Sequence, residues 1–168
     1  MTAVGTTATW SVDVERSTAG FRVGNLGVRH VRGTVPVLAG SVTTDGDGRV
    51  VAVHAVLDAA GVDTGNGRRD RDLRSPGLLD VAQVPTWSFD GGRAEPDGDG
   101  WRVSGVLTVR RPCDVVLSVG AAVPLPDGGL RLRATTSLDR RDAGVRAPRA
   151  LVGRQVEVEL DVVLRAER

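Results

Sequence analysis

Apolar and polar side chains alternate at every second position through most of this chain, and that period admits strands and little else. The last run is the clearest: Val156, Val158, Leu160, Val162 and Leu164 interleave with Glu157, Glu159, Asp161 and Val163. The same period puts Ala8, Trp10, Val12 and Val14 on one face of an opening strand, and Phe21 and Val23 inward after a turn at Glu15–Gly20. Val51, Val53, Ala55 and Leu57 form another inner row, as do Trp87 with Phe89, and Trp101, Val103, Gly105, Leu107 and Val109. Val115, Leu117, Val119, Ala121 and Val123 follow, then Leu132, Ala134, Thr136 and Leu138. Leu26–His30 reads as a turn, and Val31–Val42 as a strand pair or one strand bent at Gly33 and Pro36.

Asp45-Gly46-Asp47-Gly48, Glu95–Gly100 and Asp127-Gly128-Gly129 are hairpin turns. About eight strands joined in this way, each with one buried face, predict an all-β antiparallel barrel or sandwich. At 168 residues, with no repeat or linker, the chain is read as one domain over 1–168.

One stretch breaks the pattern. Gly61–Asp80 (GVDTGNGRRDRDLRSPGLLD) holds four Arg and four Asp and no strand alternation. A polar insert of that length in a small β domain is either functional or disordered. Arg69–Leu73 can make one helical turn, with Leu73, Leu78 and Leu79 as an apolar edge.

Net charge is +1, so no bulk field draws the chain to nucleic acid or an anionic membrane. All the basic residues are Arg, in a background rich in Ala, Gly, Val and Asp; this reads as genomic composition rather than guanidinium chemistry. MTAVGTTATWSV has neither a basic nor an apolar signal region, and no apolar run reaches bilayer length, so a cytoplasmic protein that is not integral to the membrane is expected.

Cys113 is the only cysteine; it is read as an inert thiol at a turn and excludes a cysteine zinc site. His30 is placed in a turn and His54 on a polar strand face, with no third ligand at metal spacing. None of the serines lies in a nucleophile elbow, and no glycine loop opens a phosphate-binding helix. No catalytic residue, metal or cofactor is assigned. Aromatics make up 3 % of the chain, so the inner rows are mostly Val, Ala and Leu. Small inward side chains leave either a cavity suited to an apolar ligand or a flattened, filled barrel; composition leaves both open.

The motifs in order resemble the YceI-like family of lipid- or polyisoprenoid-binding domains, over nearly the whole chain. WSVDVERSTAGFRV (Trp10–Val23) is similar to its opening motif, with Arg16-Ser17 where His-Ser is usual, and NLGVRHVRGTV (Asn25–Val35) to the segment before its Arg-Gly. DTGNGRRDRDLRSPGLLD (Asp63–Asp80) resembles its most specific piece, followed by Val84-Pro85 and Trp87-Ser88-Phe89. VSGVLTV (Val103–Val109), ATTSLDRRDAG (Ala134–Gly144) and LVGRQVEVELDV (Leu151–Val162) match later strands and a turn. The departures are Leu78-Leu79 for an aromatic pair, Ala143 for an aromatic, Asp72 for a His, a shortened RRPCD turn without its glycine, and VRAPRALVG lacking a Trp-Asn segment. Together they remove bulk near the mouth.

The resemblance implies a lipocalin-like barrel whose tunnel holds an isoprenoid, quinone or fatty-chain lipid, with a short helix in the 61–80 insert helping to close one end. The residues it points to are Trp10, Phe21, Val23, Leu57, Leu73, Leu78, Leu79, Trp87, Phe89, Leu107, Leu117, Leu132 and Leu138, with Arg140 near the mouth. At about 0.8 kcal/mol per buried methylene, one isoprene unit contributes roughly 3–4 kcal/mol gross. Several units would exceed the non-covalent ceiling of about 18–21 kcal/mol unless chain ordering offsets much of it. Two alternatives stand beside a carrier: an enzyme on such a lipid using Arg69, Asp70 or Arg140, and a filled barrel acting as a homodimeric interaction module.

Overall fold

A computed structural model describes residues 7–25, 29–146 and 153–167. It is an eight-stranded antiparallel β-barrel with one short helix. Two of the eight strands are long and broken. The first consists of β1 (Ala8–Val12) and β2 (Thr18–Asn25), interrupted by a 3₁₀ turn at Val14–Arg16. The second consists of β3 (Arg29–Val35) and β4 (Val37–Thr44), bent where Pro36 lacks a donor for the ladder.

The meander continues through β5 (Val50–Asp58), β6 (Thr86–Asp97), β7 (Gly100–Thr108) and β8 (Pro112–Val119). A two-residue strand β9 (Val123–Pro124) precedes β10 (Leu130–Asp139) and β11 (Gln155–Ala166). β11 closes the ring: its first half pairs with β2 and its second half with β1, while β10 runs along its other edge.

The interruption in the first strand is built by its own polar residues. Asp13 N–H donates to Val163 O at 2.8 Å, and Val163 N–H donates to Ser17 Oγ at 3.0 Å. Ser17 Oγ–H in turn donates to Asp13 O at 2.6 Å, so both strand halves stay attached to β11 across the break. Val14, expected inside, is therefore turned out and exposed.

The hairpin turns form where Asp and Gly predict them. Asp45 Oδ1 accepts from Asp47 N–H and Arg49 N–H, and Gly48 takes a φ of 79° that an L side chain resists. The β6–β7 turn is shorter than expected, because β6 extends to Asp97 and β7 begins at Gly100.

Register puts one residue set inside throughout. Trp10 faces Val42, Phe21 faces Val158, Leu57 faces Trp87 and Phe89 faces Leu107. Beyond them, Leu117 faces Val103 and Leu138 faces Val156. Three local expectations are corrected. His30 lies in β3, paired with Gly24, because the β2–β3 hairpin is longer than its Gly24-Asn25 signal suggests. Cys113 lies in β8 opposite Leu107, inward and buried, since the strand starts immediately after Arg111. Ala121 and Val123 fall beyond the end of β8, and both are exposed rather than inward.

Candidate ligand-binding site

The 59–85 insert, the 109–111 connection and residues 140–146 after β10 gather at one end of the barrel. The insert lies across that end. Its helix α1 (Gly67–Arg74) starts at Asn66, whose side chain accepts from Arg69 N–H at 3.1 Å, and it stops before Pro76. The charged residues of this segment hold its own backbone. Asp70, 5 % exposed, accepts from Thr64 N–H at 3.0 Å and from the Thr64 hydroxyl at 2.5 Å. Arg69 donates to Thr64 Oγ1 and Thr64 O, and Arg74 donates to Ala60 O and Val62 O. From the β7–β8 connection, Arg110 donates to Pro76 O and Leu78 O.

Beneath this frame is an apolar plug. Val62, fully buried, packs with Val35 and Leu79, and around them lie Phe21, Leu57, Leu73, Val81, Trp87 and Val145. The second core fills the β6–β8 side of the barrel with Phe89, Ala94, Val103, Cys113, Val115 and Leu117. Trp87 and Val145 belong to both, so they join plug to barrel. The indole Nε1–H of Trp87 is buried with no hydrogen-bond partner among the described residues. A buried donor left unmade costs about 1–3 kcal/mol, which an acceptor on a ligand would recover.

The inner row is filled unevenly. On β6–β8, Phe89, Val103, Cys113, Val115 and Leu117 are buried. Phe21, Val23, Leu132, Thr136, Leu138, Val156, Val158, Leu160 and Val162 are only half-buried, although register turns them inward; between them Ala19, Ala134 and Leu164 are buried, and on the other side Trp87, Trp101 and Leu107 are half-buried too.

A cleft of about 900 Å³ opens where β8 meets β10. It is lined by three successive residues on β7 (Ser104, Gly105, Val106) and on β10 (Thr135, Thr136, Ser137). β11 adds Glu157, Val158 and Glu159, and β8 adds Asp114, Val115, Val116 and Ser118. These strands meet in only two ladder pairs, Val119 with Ala134 and Ser118 with Thr135. None of the residues proposed from sequence lines this cleft.

The remaining polar groups of the capped end are held in loops. Arg140, 4 % exposed, donates to Gly153 O and Val145 O and so ties the loop after β10. Arg141 sits on Asp139 and holds that carboxyl down to about 2. Burial pushes the Cys113 thiol up, so it stays protonated at neutral pH. Among the described residues, no group of three or more His, Cys, Asp or Glu could hold a metal.

Sequence reasoning expected the following residues to line a ligand site: Phe21, Leu57, Leu73, Leu79 and Trp87, which lie in or around the plug, and Phe89, Leu107, Leu117 and Leu138, which lie along the barrel. Val23 is half-buried on the wall beside Val156. Trp10 and Leu132 lie nearer the opposite end, and Leu78 is half-buried beside Leu79. It missed Val35, Val62, Val145 and Ala143, the last 1 % exposed. Val62, Ala143 and Val145 are isolated apolar residues beside turns, where no periodicity marks them, and Val35 ends β3 at the Pro36 bend. The 147–152 part of VRAPRALVG lies outside the described residues.

The sequence model of the YceI-like domain matches residues 10–164. This chain belongs to the YceI-like family. A UPF0312 protein of Yersinia pestis (strain Pestoides F) is 28 % identical over 148 residues, covering 84 % of this chain and 77 % of the relative. One from Pseudomonas aeruginosa (strain LESB58) is also 28 % identical over 148 residues, covering 84 % and 78 %. Among solved structures, Burkholderia cenocepacia BcnA superposes with a TM-score of 0.80 at 17 % identity, covering 90 % of this chain and 98 % of that one. A polyisoprenoid binding domain from Saccharophagus degradans, implicated in plant cell wall breakdown, gives 0.65 at 16 % identity, covering 94 % and 98 %. At least one structurally similar barrel is thus described by its polyisoprenoid binding.

Proposed function

We propose that this protein carries or sequesters one long apolar chain of the isoprenoid, quinone or related lipid type inside its barrel. The observation that carries the reading is a run of apolar side chains on β2, β10 and β11, Phe21, Val23, Leu132, Leu138, Val156, Val158, Leu160 and Val162, that register turns inward and that stay only half-buried. Such a wall binds by apolar burial and does not depend on a particular atom, so affinity follows chain length. The plug at the capped end fixes how far a chain can enter, and the Trp87 indole N–H there offers one hydrogen bond to an oxygen on it. The polyisoprenoid-binding relative supports the same ligand class.

Binding without chemistry is favoured over an enzyme by where the polar residues point. Arg69 and Asp70 are turned onto Thr64, and Arg140 onto the carbonyls of Gly153 and Val145. The test is a titration of quinones carrying one to eight isoprene units, read by quenching of tryptophan fluorescence. Dissociation constants should fall with each added unit and then level off when the barrel is full. Absence of quenching at every chain length would refute the proposal.

A further inference from the structure

Given a bound chain, the capped end offers it little room to enter. Ala59, Val62 and Ala143 are buried to 1 % or less there, and Leu79 packs on Val35. The wall differs from strand to strand. β10 and β11 share ten register pairs, β7 and β8 share eight, and β5 and β6 share six, against two between β8 and β10. The cause is in the register: each strand of the seam is laddered along its full length to its outer neighbour, and beyond Ser118 and Thr135 the two share no further pairs. The 900 Å³ cleft lies over this stretch.

Successive strand residues face opposite sides of a sheet. A lining that includes Ser104 with Gly105, Val115 with Val116, Thr136 with Ser137 and Glu157 with Val158 therefore draws on both faces of the wall. Thr136 and Val158 also belong to the half-buried inner row, so the cleft reaches the row assigned to the ligand. Its volume falls in the range of small-molecule sites, about 300–1,000 Å³.

We infer that the β8–β10 seam is a lateral entrance through which the apolar chain passes into the barrel. This rests on the carrier reading above. Asp114, Glu157 and Glu159 line the cleft, Glu157 paired with Arg22, and no basic side chain does. The entrance therefore disfavours phosphorylated head groups and admits neutral ones.

Continuing the Ser118–Thr135 register by two residues sets Val116 opposite Ser137. A Val116→Cys/Ser137→Cys protein in a Cys113→Ala background can then be compared with itself, oxidised and reduced. The probe is a benzoquinone with four isoprene units delivered from phosphatidylcholine vesicles, its uptake timed by tryptophan quenching. Oxidation should slow uptake at least tenfold and leave the amount bound at equilibrium unchanged, while the reduced form matches the unmodified protein. If the pair does not bridge, Val116→Trp with Ser137→Trp fills the cleft and should slow uptake likewise. Equal rates in a bridged or filled seam would overturn the entrance and leave the carrier reading standing. No uptake by the unmodified protein would overturn both.

Discussion

Asp70 accepts from the backbone N–H and the hydroxyl of Thr64, six residues earlier, and so closes the loop that lays α1 over the barrel end. The aspartate is a clasp. Asp70→Ala leaves a part-buried N–H and hydroxyl without their acceptor, at a cost of about 2 kcal/mol. Urea unfolding should show that loss, with Asp70→Asn intermediate. A change within about 0.5 kcal/mol, as for an ordinary surface substitution, would deny Asp70 this role.

Trp87 joins the plug to the barrel core with its indole N–H unpartnered among the described residues. Trp87→Phe removes the orphan donor and keeps most of the ring, so the ligand-free protein should stay within about 1 kcal/mol of its original stability. Trp87→Ala should cost about 3 kcal/mol. In binding, Trp87→Phe should weaken a prenyl quinone or prenol and spare a pure hydrocarbon such as squalene. Equal loss for both would make Trp87 a packing residue only.

Arg141 holds the Asp139 carboxyl at about 2, through a bidentate contact at the start of the loop after β10. Its folded value lies below its unfolded one, so its stabilising effect is complete above about pH 4 and is lost as pH falls toward 2. Asp13, Asp45, Asp127 and Asp161 are shifted the same way by arginines and backbone N–H groups. Thermal unfolding from pH 6 to pH 2 should show stability falling mainly below pH 4. Asp139→Asn should flatten part of that fall, and an unchanged slope would remove the contact from the account.

Cys113 is inward on β8, 7 % exposed, and burial raises its thiol. Alkylation by a maleimide at pH 7 should require unfolding, and its rate should rise with urea along the unfolding curve. Rapid labelling of the native protein would place Cys113 at an accessible surface.

The barrel was legible in the sequence because a two-residue period survives any choice of neighbour: the inner rows of β5, β7, β10 and β11 follow from it directly. What the period cannot carry is where a strand breaks without losing its neighbour. Asp13 and Ser17 hold β1 and β2 to β11 across the 3₁₀ turn by hydrogen bonds unmarked by any hydrophobic pattern. The β8–β10 seam was invisible for the converse reason. Val115, Leu117, Thr136 and Leu138 alternate as well as any others, and only their partners reveal that the strands part. In the insert, the Arg and Asp residues were visible, but their targets are carbonyls and N–H groups that sequence does not distinguish.

The central claim is one apolar chain per barrel. Native mass spectrometry of the protein, after exposure to prenols and quinones of graded length, tests it most directly. The account predicts a single mass addition per protein molecule, retained more firmly as the chain lengthens. Unmodified protein mass across the whole series would contradict it.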